Sequence, residues 1–246
     1  MHGKQFKMTV NELKDLAVDA ARQAGVFLNQ SKLEKKEVYK EEGRDIKLII
    51  DQDTEKLIRS SLQKTDIPIL GEEYGGEISE EKYWVIDPID GTANYFRGLD
   101  ECCVSIALME GEEALIGVIY NFNNDQMYTA IKDHGAFLNN KKISVSNIAE
   151  KGKASITTGF PASETIESSM NFLENLKGWK KVRMFGSAAL SCAYVASGKC
   201  DYYAEKGVYL WDIAAGICLV KEAGGCADFK LIDKERYEVV FSNNLL

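Results

Sequence analysis

From residue 9 to residue 29, apolar side chains recur at helical spacing, with Leu13, Leu16, Ala17, Ala20, Ala24, Phe27 and Leu28 on one side and charges on the other. This pattern predicts an amphipathic scaffold helix, and Thr9 followed by Glu12 has the form of a capping box at its start. The periodicity then shortens. Residues 37–40 and 46–50 read as short strands on either side of a Gly43-Arg44 turn. Asp51-Gln52-Asp53-Thr54-Glu55 reads as the capped start of a second helix reaching about residue 63, with Asp51 as the cap. A strand at 67–70 ends in Gly71-Glu72-Glu73-Tyr74-Gly75-Gly76. After a polar spacer, an apolar strand beginning at Tyr83 runs directly into Asp87-Pro88-Ile89-Asp90-Gly91-Thr92. Its β-branched and aromatic residues have the composition of a buried strand, and Pro88 biases Asp87 to stay extended. One helical turn is expected at 93–97. Segments 103–109, 114–120 and 126–131 then form an antiparallel meander, which 135–141 continues through an Asn139-Asn140 turn into 143–145.

A small, polar stretch at 149–153 divides the chain into two halves, 1–150 and 151–246. The second half is expected to hold a strand at 154–159, an amphipathic helix at 163–176 and a strand at 182–185. The last of these leads to Gly186-Ser187-Ala188-Ala189, which opens a helix to about residue 197. A short strand at 201–205 precedes a helix from Leu210 to Ala223, with Asp212 in its first turn, where a carboxylate suits the helix dipole. Gly224-Gly225 stops that helix, and 226–246 is expected to supply edge strands.

Composition narrows the chemistry. The 246 residues are 45% hydrophobic, enough for a sizeable core. Against 30 Lys and Arg stand 38 Asp and Glu, a formal charge of -8 that opposes non-specific attraction to nucleic acid or an anionic membrane. No apolar run approaches a membrane span and no signal-peptide pattern opens the chain, so a soluble cytoplasmic protein is expected. The six cysteines include no Cys-x-x-Cys pair and sit among small or apolar neighbours, as reduced buried thiols do. With only His2 and His134 present, His-dependent nucleophilic mechanisms have little to work with. Acid-base and metal chemistry must then rest on carboxylates, and an all-oxygen ligand set favours Mg²⁺ or Mn²⁺ over zinc.

Asp87 and Asp90 are close enough in sequence to converge on divalent cations, and Gly91 lets backbone approach a ligand. Glu72 and Glu73 arrive at the end of the neighbouring strand. Each piece also has a plain structural reading: an Asp-rich turn, a solvated acidic loop, or a helix cap at Asp51. The helix starts near residues 93 and 187 are natural seats for phosphate, although helix packing explains the small residues after Gly186 equally well.

Gly71-Glu72-Glu73, Asp87-Pro88-Ile89-Asp90-Gly91-Thr92 and Trp211-Asp212-Ile213-Ala214-Ala215-Gly216 together resemble the inositol monophosphatase family of Mg²⁺-dependent, lithium-sensitive phosphatases. Lys40, Asp51, the Gly186-Ser187-Ala188-Ala189 run and Glu205 also fall in family order, so the resemblance extends over almost the whole chain. It implies an α+β fold, a layered αβαβα sandwich of the sugar phosphatase type, usually dimeric. It further implies that Glu72, Asp87 and the Ile89 carbonyl hold one Mg²⁺, while Asp87, Asp90 and Asp212 hold a second. Gly91 and Thr92 would present N–H groups to phosphate, and Thr92, Asp51 and Glu72 would serve the attacking water. Gly186, Ser187, Ala188, Asp90 and Glu205 would meet the hydroxyls of a phosphorylated polyol or sugar, with Lys40 at the rim. Arg97, Arg183 and Lys199 are candidates for a second phosphate. The resemblance favours myo-inositol 1-phosphate or a related sugar phosphate as substrate, with fructose 1,6-bisphosphate or a nucleoside bisphosphate as alternatives and a non-catalytic metal- or partner-binding role as the competing class.

Overall fold

A computed structural model describes residues 8–32, 37–42, 45–159, 165, 170 and 173–246. Helix α1 (Val10–Ser31) begins as its pattern predicts. The Thr9 hydroxyl accepts the Glu12 N–H at 3.3 Å, and the Glu12 carboxylate accepts the Thr9 N–H at 2.7 Å. Strands β1 (Val38–Glu42) and β2 (Asp45–Leu48) form a two-stranded antiparallel ribbon, and β2 runs into α2 (Ile49–Leu62). The expected Gly43-Arg44 turn and most of the expected 163–176 helix lie outside the described residues.

Seven strands form the first sheet: β3 (Ile69–Gly71), β4 (Lys82–Asp90), β5 (Cys103–Glu110), β6 (Glu113–Asn121), β7 (Gln126–Ile131), β8 (Gly135–Leu138) and β9 (Lys141–Ile143). They neighbour one another in chain order. All pairings are antiparallel except β3 with β4, which is parallel. Asn139 and Asn140 turn the chain between β8 and β9 with φ of 47° and 63°, the left-handed region that Asn tolerates better than most residues. A six-residue helix, α3 (Thr92–Arg97), follows β4.

The second sheet contains β10 (Ser155–Thr158), β11 (Lys181–Arg183), β12 (Tyr202–Tyr209), β13 (Cys226–Leu231) and β14 (Arg236–Ser242), in the order β11-β10-β12-β14-β13. Two points differ from expectation. β12 continues to Tyr209 because an irregularity between Lys206 and Val208 lets pairing with β14 resume. Only β13 of the C-terminal strands is an edge; β14 lies inside the sheet, with Val239 and Phe241 buried.

Alternation along β4 shows how the layers stack. Tyr83 and Val85 join one core cluster, whereas Trp84 and Ile86 join the other. Side chains of successive strand residues point to opposite faces, so this sheet is buried on both. Its outer face carries α1 and α2. Its inner face carries α4 (Ala188–Ala196) and α5 (Leu210–Glu222), which also pack against the second sheet. The described residues thus form α, β, α and β layers of the expected α+β sandwich. Among them no helix is long and apolar enough to cross a membrane.

The middle helices approach closely because both are rich in small residues. A Cβ on Gly216 would lie 2.4 Å from Cys192 Cβ and 2.6 Å from its Sγ. Both atoms belong to a buried side chain with little room to retreat, and the contact sets the spacing between the middles of α4 and α5. Gly216→Ala is therefore expected to destabilise the fold by about 1–3 kcal/mol, the usual cost of overpacking, despite alanine's better helix propensity. A lowered urea midpoint with unchanged slope is the expected result.

Candidate active site

Asp87 and Asp90 are three residues apart, a spacing that in a regular strand would send them to opposite faces. In the β4–β5 ladder, however, Asp87 pairs with Ser105 and Asp90 with Cys103, with a register shift between them. Three steps on β4 are matched to two on β5, so one extra residue is accommodated as a bulge at Pro88-Ile89, a setting where proline's missing N–H is tolerated. The bulge brings both carboxylates to the inner face of the sheet. Ile89 turns outward into the α1–α2 core, where it is 1% exposed. Its N–H donates to Asp87 Oδ1 at 2.9 Å, and its carbonyl accepts the Thr92 hydroxyl at 2.9 Å.

Asp212 arrives from the opposite layer. It is the third residue of α5, and its carboxylate accepts the Tyr209 N–H at 2.7 Å, which fixes its direction at the helix start. One oxygen from each of Asp87, Asp90 and Asp212 lies within 4.8 Å of the other two. Asp51 repeats the device in α2: the helix begins at Ile49, with Leu48 as its N-cap three residues before the expected cap, so Asp51 is not the cap but the third residue. Its buried carboxylate accepts the Leu48 N–H at 2.6 Å. Glu72 follows β3 directly, donating its N–H to the Ile86 carbonyl at 3.3 Å, beside Asp87.

Crowding and burial set the electrostatics. Burial pushes the Asp87 carboxyl well above the usual carboxylate range, and repulsion from Glu72, Asp90, Asp212 and Asp51 adds to it. Asp212 is likewise raised well above its ordinary value, by burial and then by Asp90, against the opposing Tyr209 N–H. Asp90 is raised by burial but held back by its donors. Those donors are the Ser187 hydroxyl, the Ala189 N–H at 2.8 Å and the Ala188 N–H at 3.3 Å. The Cys103 thiol, 3.7 Å away, is a neutral donor, its own pKa pushed well up by burial. No Lys or Arg among the described residues pairs with Asp87, Asp90 or Asp212. An all-carboxylate, partly desolvated cluster with no basic partner for these three acids among the described residues fits a hard divalent cation.

Of the remaining predicted residues, Gly91, the Gly186-Ser187-Ala188 turn and Glu205 border this centre, whereas among the described residues no hydrogen bond or ion pair ties Arg97, Arg183 or Lys199 to it. Gly91 sits between strand and helix with φ 91°, and a Cβ there would lie 2.8 Å from the Glu101 carbonyl and 3.2 Å from that of Gly186. Gly186, at φ 69°, leads into Ser187, which caps α4 by accepting the Leu190 N–H at 3.2 Å. Glu205 lies on β12 in a notch left by Gly159, where a Cβ would come within 2.5 Å of its carboxylate. Burial moves Glu205 up to about 7, while the Tyr203 hydroxyl, donating at 3.0 Å, opposes the shift. Lys40 is on β1 with its side chain exposed. Lys199 is engaged elsewhere: its Nζ is 2.7 Å from the Tyr128 hydroxyl and lies over the Tyr128 and Tyr194 rings. Arg97 and Arg183 are exposed on α3 and the edge strand β11.

Two supports have no assigned role in the sequence reading. The Asn94 amide donates to the carbonyls of Glu101 and Phe185, each at 2.7 Å, tying α3 to the turn before Ser187. The Ser105 hydroxyl donates to the Trp211 carbonyl at 3.3 Å, tying β5 to the start of α5. Ser187 had a legible signal, since serine before an apolar helix is a common cap. Asn94 had none, because one of its partners is 91 residues away.

Comparison with known proteins agrees with this geometry. The sequence profile of the inositol monophosphatase family matches residues 9–229. A Nus factor SuhB from Xylella fastidiosa is 40% identical over 91% of this chain and 84% of its own length. Inositol monophosphatase 1 from Rattus norvegicus is 35% identical over 87% of this chain and 82% of its own. The crystal structure of the extragenic suppressor protein suhB from Bartonella henselae superposes with a TM-score of 0.87, at 32% identity, over 94% of this chain and 93% of that one. With a matching profile over most of its length, and a fold shared with these relatives, the chain belongs to the inositol monophosphatase family.

Proposed function

We propose that this protein is a Mg²⁺-dependent phosphate monoester hydrolase acting on inositol 1-phosphate or a related sugar phosphate. The observation that carries the reading is the convergence of Asp87, Asp90 and Asp212, from two layers, with no basic partner among the described residues. In this proposal Glu72, Asp87, Asp90, Asp212 and the Ile89 carbonyl hold the cations, with Mn²⁺ as a substitute. Bound divalent ions supply charge to phosphate oxygens and lower the pKa of a water nucleophile. The chain's own groups do the rest. Thr92, anchored through its hydroxyl to Ile89, and Asp51, directed by the Leu48 N–H, orient the water. Gly91 and Thr92 offer backbone N–H groups to the phosphate. Asp90, the Gly186-Ser187-Ala188 turn and Glu205 face the leaving polyol. With a pKa of about 7, Glu205 near neutrality is available both to donate to a hydroxyl and to accept from one.

The Xylella relative's name, Nus factor, marks a second reading in which the fold serves as a binding protein. Turnover separates the two. Asp90→Asn is expected to lower kcat/KM on inositol 1-phosphate by at least about 100-fold, the scale of losing a preorganised charge-stabilising group. A folded Asp90→Asn protein with parental activity would refute the assignment of Asp90. Absence of Mg²⁺-dependent hydrolysis of inositol 1-phosphate, fructose 1,6-bisphosphate and 3'-phosphoadenosine 5'-phosphate by the parent would favour the binding-protein reading.

The same carboxylates govern stability. Raised folded-state values mean that the native protein binds more protons than the unfolded chain between the ordinary carboxylate range and the raised values, a window reaching about 7 for Glu205. Their contribution to stability in chelator therefore falls as pH rises through that window. Mg²⁺ at a hundredfold excess over Kd should restore about 2.7 kcal/mol. The gain in Tm from a fixed Mg²⁺ concentration is expected to be larger at about pH 8 than at about pH 5.5, where protons compete for the same oxygens. Equal gains at the two pH values would contradict cation binding by these groups.

A further inference from the structure

Glu55 lies one helical turn after Asp51 on the buried face of α2 and is fully buried. It does not face the carboxylate cluster. Its Oε2 accepts the Glu73 N–H at 2.7 Å and its Oε1 the Tyr74 N–H at 3.2 Å, so the carboxylate caps the loop immediately after Glu72. Arg59, a further turn along, donates Nε to Glu55 Oε1 at 2.7 Å. Its other two nitrogens reach the same loop from either end, Nη1 to the Ile69 carbonyl at 3.3 Å and Nη2 to the Gly75 carbonyl at 2.6 Å. The loop also closes on itself through the Gly71 N–H to the Gly75 carbonyl at 3.0 Å. Tyr74 covers the pair, with the Arg59 guanidinium 6.0 Å from its ring centroid.

Gly71 shows how tightly this arrangement is built. A Cβ there would stand 2.2 Å from Glu55 Oε1 and 2.9 Å from Arg59 Nη2, so the carboxylate occupies the space a side chain would need. Taking both charges out of water is costly, and buried ion pairs contribute little net stability compared with apolar packing. A short surface loop could be fastened more cheaply. What the pair adds is direction, since it fixes backbone on both sides of Glu72 with four hydrogen bonds, and a fifth joins Arg59 to Glu55. Like charge on Asp87, whose carboxylate repels that of Glu72, would otherwise push Glu72 outward whenever no cation is bound.

We infer that Glu55 and Arg59 are positioning residues, a clamp from α2 that holds the Gly71–Gly75 loop so that Glu72 is set for a divalent cation before the ion arrives. This rests on the proposed assignment of Glu72 as a ligand. Support of this kind to a ligating group typically carries 10–100-fold in metal affinity.

Mn²⁺ binding to the purified full chain, followed by the electron paramagnetic resonance of the free ion, tests the clamp without recourse to turnover. Glu55→Gln keeps the side-chain length and one acceptor oxygen but turns a donor toward Arg59. It is expected to raise the Kd of Mn²⁺ by about tenfold or more in protein that circular dichroism shows to be folded. Arg59→Lys keeps the charge but loses the planar fork, and is expected to shift Kd in the same direction. It also answers the question should Glu55→Gln fail to fold. A purely structural role would lower the urea midpoint and leave Kd of the folded protein at the parental value, and that result would overturn the inference. Glu72→Gln serves as the reference: parental Mn²⁺ affinity in that variant overturns the ligand assignment itself, whereas loss of affinity there with none in the clamp variants overturns the clamp alone.

Discussion

Carboxylates buried together repel one another and lose their hydration, and the structure around Asp87, Asp90 and Asp212 is organised to tolerate both. Each is held by backbone or side-chain donors, and no Lys or Arg among the described residues pairs with any of the three. Asp87 takes the Ile89 N–H and Asp212 the Tyr209 N–H, while Asp90 takes the Ser187 hydroxyl and two N–H groups at the start of α4. These donors fix direction without neutralising charge. A lysine among them would have relieved the repulsion, but would also have competed with a cation for the same oxygens.

The layers exist in a form that serves this arrangement. α4 and α5 are short, rich in alanine, and close enough together to exclude a methyl group at Gly216. Their starts meet the inner face of the seven-stranded sheet beside the end of β4, where Ser187 reaches Asp90 and the Trp211 carbonyl accepts from Ser105. Asp212 reaches the cluster because α5 packs there, and Asp90 is capped because α4 begins beside it. Packing on the outer face, by α1 and α2, brings Asp51 to the same place from behind. One centre is thus assembled from three layers, each positioned by its own apolar contacts.

Much of this was legible in the chain. The period of α1 and its Thr9–Glu12 box, the meander from β5 to β9 and the breaks at Gly and Asn positions follow from local chemistry. So did the fold class and family, because several short motifs in a fixed order constrain one another even where each is common alone. What escaped was non-local or depended on a single residue of register. The start of α2 lies two residues before the Asp51 signal, because an acid can satisfy a helix N-terminus from its first turn as well as from its cap. The interior position of β14 depends on pairing with β12, some thirty residues earlier, and apolar alternation alone does not reveal that. The Asn94 contacts join segments whose proximity exists only once both sheets have formed.

The bulge at Pro88-Ile89 has a consequence for how this stretch can change over time. Side-chain identity there can drift provided the flanking acids persist, but chain length cannot. Removing one residue between Asp87 and Asp90 would leave them two apart, on the same face of a regular ladder and still opposite Ser105 and Cys103, but would take away the extra residue whose N–H anchors Asp87 and whose carbonyl anchors Thr92. Inserting one would set four steps on β4 against two on β5, a distortion larger than a single-residue bulge absorbs. Relatives that keep the chemistry are therefore expected to differ in length elsewhere, in the spacer before β4 or the loops between layers, and to keep this short interval as a fixed count.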